Sequence, residues 1–137
     1  MPSTRAVQVV DASVLVEAMR LDGPLAAEAI EAMSRPGSVA PELIDIEVVQ
    51  TLRRLVRIAA LGLAEAEIAI IGLPNIPLAR RPHRPLLPRI WELRDNLTAY
   101  DATYVALAEA LRCPLVTSDA RIASAPGIRC EVEVIGT

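Results

Sequence analysis

Four carboxylates, Asp11, Glu47, Asp101 and Asp119, are spread along this chain, each where an α/β fold would set a residue at one end of its sheet. Asp11 closes the apolar run AVQVV, and Asp119 follows the apolar run PLVT. Glu47 lies inside a long amphipathic pattern, and Asp101 opens another, YDATYVALAEAL. In parallel α/β sheets the residues just past the carboxyl ends of strands gather in one crevice. Carboxylates that share a crevice repel one another and raise each other's pKa unless a cation lies between them. Hard cations such as Mg²⁺ and Mn²⁺ take oxygen ligands, so an acidic cluster suits one.

Taken singly, each acid has a plainer reading. Asp11 could be a turn or N-cap residue, and Asp101 and Asp119 could cap the helices that follow them. Glu47 is the more telling case. It borders an apolar stripe, and a carboxylate there needs a compensating partner.

The elements that must position these acids read as alternating strands and helices. A buried strand over 6–10 ends at Asp11. Helices follow over 14–21 and 24–34, the second with Pro24 near its first position and Pro36-Gly37 after its end. A brief strand at 38–40 leads into a long helix, about 42–60, with apolar residues at helical spacing from Leu43 to Ile58. A short helix covers 63–72, and 75–79 reads as a strand that Pro77 confines to an edge or an end. Helices are expected over 86–96 and 100–112, with Thr98 or Asp101 near the start of the second. Strands over 114–117 and 130–135 complete the pattern, with one or two helical turns after Asp119. This alternation predicts a mostly parallel sheet covered by helices on both faces, in one domain spanning 1–137.

Composition removes several rival chemistries. All 14 basic residues are Arg and none is Lys. A P-loop needs its lysine, a Schiff-base mechanism needs an amine, and the lysine on which receiver domains rely is missing too. A dehalogenase-type phosphatase needs a second Asp two residues after the first, where this chain has Ser13. His83 is the single histidine, which argues against a histidine base. Cys113 and Cys130 are too few for a zinc site or a disulfide framework and read as small apolar residues of a reducing compartment. The net charge of −3 looks unsuited to nucleic acid. Assigning four acids to a metal site leaves +1 for the remainder, so charge alone does not decide. Aromatics are sparse, with Trp91, Tyr100 and Tyr104 and no Phe. No base-stacking platform is therefore expected, and both tyrosines are read as core residues. Neither a signal peptide nor a membrane span is apparent, and a cytoplasmic location is expected.

The ordered set Asp11-Ala12-Ser13, PELIDIE ending in Glu47, RDNLTAYDATYVALAEAL with Asp101, and LVTSDARIA with Asp119 resembles the PIN-domain family, and within it the VapC toxins of bacterial toxin–antitoxin pairs. The likeness covers nearly the whole chain. It is most specific between Arg94 and Ala123 and weakest from about 60 to 85. It implies a five-stranded parallel sheet and metal-dependent ribonuclease activity with four acids converging on one pocket. Carried over residue by residue, Asp11, Glu47, Asp101 and Asp119 are the acidic positions that hold Mg²⁺ or Mn²⁺. Ser13, Asn96 and Thr117 match polar positions that orient carboxylates or water, although capping explains Ser13 and Asn96 equally well. The resemblance further implies an RNA substrate, a VapB-like antitoxin and a homodimer. A non-catalytic PIN scaffold and a metal-dependent nuclease acting on DNA remain open as alternatives.

Overall fold

In the computed structural model, which describes residues 7–137, five short strands form one sheet in the order β3-β2-β1-β4-β5. They are β1 (Gln8–Val10), β2 (Ser38–Pro41), β3 (Ala79–Arg81), β4 (Leu115–Thr117) and β5 (Val132–Val134). Every pairing is parallel, as crossover connections through helices require. The helices are α1 (Ala12–Met19), α2 (Ala26–Ser34), α3 (Ile44–Arg57), α4 (Leu63–Gly72), α5 (Leu87–Glu92), α6 (Ala99–Leu111) and α7 (Ala120–Ala123), with 3₁₀ turns at Leu73–Asn75 and Arg84–Leu86.

The chain lays strands outward from β1 to β3, then returns to β1's other side for β4 and β5. The junction of β1 and β4 is therefore the switch point where a crevice opens beyond the strand ends. Gln8, Val9 and Val10 are all buried, as expected of a central strand covered on both sides. Val9, Val10, Leu115 and Val116 are wholly buried, together with Leu15, Ile44, Val48 and Leu52 from the helices. Helix α6 is buried continuously from Ala102 to Ala108. Its alanines let it approach the sheet closely, and it packs on β1, β2 and β4.

Several expected boundaries move. The first residue of the predicted 6–10 strand lies outside the described residues. Helix α1 starts at Ala12 because Asp11 caps it, accepting from the amides of Ser13 and Val14. Pro24 precedes α2, whose cap is Leu25. Helix α3 is shorter than 42–60 at both ends, and Ala59 beyond it takes the left-handed region at φ 59°. The strand expected at 75–79 is displaced. A 3₁₀ turn occupies 73–75, and β3 begins only at Ala79, where Arg80 bonds bidentately to Asp45 of α3 at 2.8–3.1 Å. The helix expected over 86–96 ends at Glu92. The last strand narrows to three residues.

Candidate active site

Asp11 stands where β1 gives way to α1, only 6% exposed. Its Oδ1 accepts from the amides of Ser13 (3.1 Å) and Val14 (3.3 Å) and from the Ser13 hydroxyl. Its Oδ2 accepts from the hydroxyl of Thr117 at the end of β4. The same two hydroxyls accept in turn. Ser13 Oγ takes the Ser118 amide (3.0 Å), and Thr117 Oγ1 takes the Asp119 amide (3.0 Å). A hydroxyl network thus ties the ends of the two central strands to one carboxylate. Burial still pushes Asp11's pKa up, against the hydrogen bonds from Ser13 and Thr117, and the charge of Asp101 adds to the rise.

Glu47 belongs to the first turn of α3, half-buried. The hydroxyl of Tyr104, from the middle of α6, donates to its Oε1. Burial raises Glu47's pKa, the Tyr104 bond opposes the rise, and Asp101 and Asp11 reinforce it. Asp101 lies in the first turn of α6, whose N-cap Thr98 accepts from the Asp101 amide at 3.1 Å. Its pKa is raised by burial and then by the facing charge of Asp119. Asp119 caps α7. It differs from the other three because Arg121 holds it in a bidentate ion pair, with contacts of 3.1 and 2.9 Å, and that bond lowers its pKa.

All four acids line one cleft of about 450 Å³, with Arg20, Arg54 and Arg121 among the residues around them. Each carboxylate is engaged by a donor of its own, Asp101 by the Thr98 side chain, which opposes the rise in its pKa. As they stand they do not close on a common point, and among the described residues no group of three His, Cys, Asp or Glu is arranged to hold a metal ion. The donor set nonetheless suits a hard cation. It is all oxygen, and three of its members are desolvated carboxylates. The charge of Asp101 raises the pKa of Asp11 and Glu47, and that of Asp119 raises Asp101's, a repulsion that a divalent ion between them offsets.

Ser13 and Thr117 touch Asp11 as the sequence anticipates. Asn96 does not reach the cleft. It is exposed, and its amide donates to the Pro126 carbonyl at 3.1 Å, joining the loop before α6 to the loop after α7. Tyr100, expected in the core, is 63% exposed. Tyr104 is buried as expected, but its hydroxyl is a polar contact of the site that the sequence reading passed over. The available signal was spacing, since Tyr104 falls three residues after Asp101 on the same helix face. Arg121 was missed as well, two residues beyond Asp119.

The fold and the cleft together define a class, and the chain belongs to the PIN-domain family, whose model matches residues 9–128. Within that class it is similar to the Mycobacterium tuberculosis protein named Ribonuclease VapC1, 42% identical over 128 residues that cover 93% of this chain and 96% of the relative. Among solved structures, PAE2754 from Pyrobaculum aerophilum shares the fold at a TM-score of 0.68 and 22% identity, covering 95% of this chain and 85% of the other. So does a chain of the DNA-bound VapBC complex from Salmonella typhimurium, at 0.65 and 14%, covering 93% and 98%.

Proposed function

We propose that this chain is a metal-dependent endoribonuclease, the toxin of a VapBC-type pair, hydrolysing RNA phosphodiester bonds at the four-acid cleft. The observation that carries the reading is the convergence of Asp11, Glu47, Asp101 and Asp119 on the switch-point crevice. Burial raises the pKa of three of these acids, and a bound cation would offset the cost of keeping them charged. Similarity to proteins named as VapC ribonucleases supports the reading over a non-catalytic PIN scaffold, since all four acids are in place.

The four carboxylates would hold Mg²⁺ or Mn²⁺. When bound, such an ion supplies Lewis-acid polarisation of the phosphodiester and a water activated near neutral pH. The chain's own residues do the rest. Ser13 and Thr117 fix both oxygens of Asp11, so this carboxylate is oriented before any ligand arrives. Tyr104 fixes Glu47, which lines the cleft, through Oε1. Of the two acids that could accept a proton, Glu47 is better tuned than Asp119, because burial raises its pKa toward the working range while the Arg121 ion pair lowers that of Asp119. Arg20 and Arg54 on the rim are placed to hold backbone phosphates, which set register without reading sequence.

A VapB-like antitoxin is the proposed partner. Support comes from a second cleft between α3 and α4, floored by Leu52, Ala66 and Ile70. It is bordered by Leu63 and Ile71, which are 63% and 75% exposed. An apolar surface of that kind marks a protein contact. A homodimer in the cytoplasm completes the reading. No helix among the described residues is long and apolar enough to cross a membrane.

The test is to incubate purified protein with cellular RNA in Mg²⁺ or Mn²⁺, with EDTA and Asp101→Asn as controls. Cleavage in metal that disappears in both controls is expected. Cleavage that persists in either would sink the metal-nuclease reading. Intact RNA with metal bound would favour the scaffold, and cleavage of DNA alone the third alternative.

A further inference from the structure

The four acids of the cleft are not equivalent in what neutralises them. Asp11 is met by hydroxyls and amides, Glu47 by a phenol, and Asp101 by the Thr98 hydroxyl. Among the described residues, Asp119 alone of the four is met by a full positive charge. Arg121 Nε lies 3.1 Å from Oδ1 and Nη2 lies 2.9 Å from Oδ2. The Arg121 amide adds a third bond to Oδ1 at 3.0 Å. One residue therefore engages both oxygens of a carboxylate that faces the cleft.

From this we propose that Arg121 is a resident counter-ion of Asp119 that a divalent cation must displace, so that the ion pair sets the metal affinity of the cleft. The inference rests on the metal-nuclease reading above. A guanidinium fork and a cation compete for the same lone pairs, and two positive charges on one carboxylate repel. The Arg121 side chain is 90% exposed while that of Asp119 is 27% exposed. Turning the guanidinium out therefore breaks no packing, and it frees Oδ2 of Asp119 while Oδ1 keeps only the bond from the Arg121 amide. The displaced guanidinium stays at the lip of the cleft, where a phosphodiester would arrive. Metal loading thus exposes an anion-binding group at the same moment that it fills the acidic site. Arg121 also reaches across the cleft electrostatically, since its charge opposes the rise in Asp101's pKa. Its removal is felt by more than one acid.

Arg121 is accordingly a positioning residue, and its signature is a gain of binding on removal. Mn²⁺ affinity is measured by electron paramagnetic resonance and calorimetry, without RNA, for the wild type, Arg121→Ala and Arg121→Lys. Arg121→Ala is expected to bind Mn²⁺ roughly two- to fivefold more tightly, the range appropriate to an exposed ion pair. The gain should shrink in high salt, which screens such pairs. Arg121→Lys keeps the charge without the fork and is expected to fall between the two. An unchanged melting temperature for Arg121→Ala shows that the fold is intact, as its exposure predicts. Wild-type binding with equal or weaker affinity in Arg121→Ala overturns the inference alone, and so does Arg121→Lys binding no tighter than wild type. If no form binds Mn²⁺, the metal-nuclease reading falls and takes this inference with it.

Discussion

Two clefts share helix α3 and use opposite kinds of surface. On one side Glu47, Thr51 and Arg54, at helical spacing, face the acidic cleft. On another, Leu52, Val56 and Arg57 face the apolar cleft against α4. The acidic cleft is built from groups that are expensive to bury, each held by a specific donor. The apolar cleft is built from side chains that need no partner within the chain and are left partly in water. A groove of the second kind binds by area and gains little from geometry, whereas one of the first kind is worth little unless its geometry is fixed. In the proposed function, chemistry belongs to the acidic cleft and association to the apolar one.

Substitutions on either side should therefore separate cleanly. The largest expected effect is Asp101→Asn, which removes a carboxylate from the acidic cleft. RNA cleavage should fall on the order of 10²-fold or more while binding to the partner antitoxin is unchanged by calorimetry. Ile71→Asp in the apolar cleft should do the reverse. Partner affinity should drop roughly 30-fold or more, as for loss of an interface anchor, with cleavage by the free protein intact. Loss of cleavage in Ile71→Asp would break the separation.

Within the acidic cleft the hydroxyl network gives smaller and graded effects. Thr117→Val leaves one oxygen of the buried Asp11 without its donor and should lower stability by about 1–3 kcal/mol in urea unfolding. Tyr104→Phe leaves half-buried Glu47 without its phenol and should cost about 1 kcal/mol. It has a second signature in pH. The Tyr104 bond holds Glu47's pKa down against burial, so its loss raises that pKa further. The acid limb of the cleavage profile should move to higher pH, and an unmoved limb would remove Glu47 from the role of proton acceptor.

The smallest effect concerns stability without metal. Asp11, Glu47 and Asp101 have folded pKa values above their unfolded ones, which lie near 4. The stability they contribute is present below that pH and is lost as pH rises through the folded values. Melting of Asp101→Asn should therefore overtake that of the wild type as pH rises from about 4 toward 7. Mn²⁺ should close the gap by stabilising the wild type. A gap that is flat with pH would mean that Asp101 is not desolvated as described.

Periodicity and caps made most of this arrangement legible before any coordinates. The α/β alternation and the parallel sheet were readable because buried strands and amphipathic helices leave strong patterns, whereas the four acids were singled out by their placement together with the resemblance to the PIN-domain family. The failures have local causes. β3 carries the residues ARR, an edge strand with no apolar alternation. Its place is set by hydrogen bonds to β2 and by the Arg80–Asp45 ion pair, contacts that a propensity reading does not register. Helix α3 looked like a broad apolar stripe, yet Ile46 is 72% exposed, because the stripe serves two surfaces and one of them has no partner among the described residues. Asn96 matched a motif position, but its side chain answers to the Pro126 carbonyl. Tyr104 escaped because its importance lies in a carboxylate of another element, which spacing alone does not show, and Arg121 because a neighbouring Arg reads as a solvated charge unless its side chain is seen to fold back on Asp119.

The bond from Thr117 to Asp11 spans 106 positions of sequence, and its effect reaches back to the time of synthesis. A nascent chain carries Asp11, Glu47 and even Asp101 long before β4 has left the ribosome. The sheet cannot close its central seam until that strand arrives. Until then Asp11 lacks one of its two clamps and Asp119 is not yet there to face Asp101. The cleft is thus a late product of translation. A chain cut short before Leu115 would carry three of the four acids and have no site in which to use them.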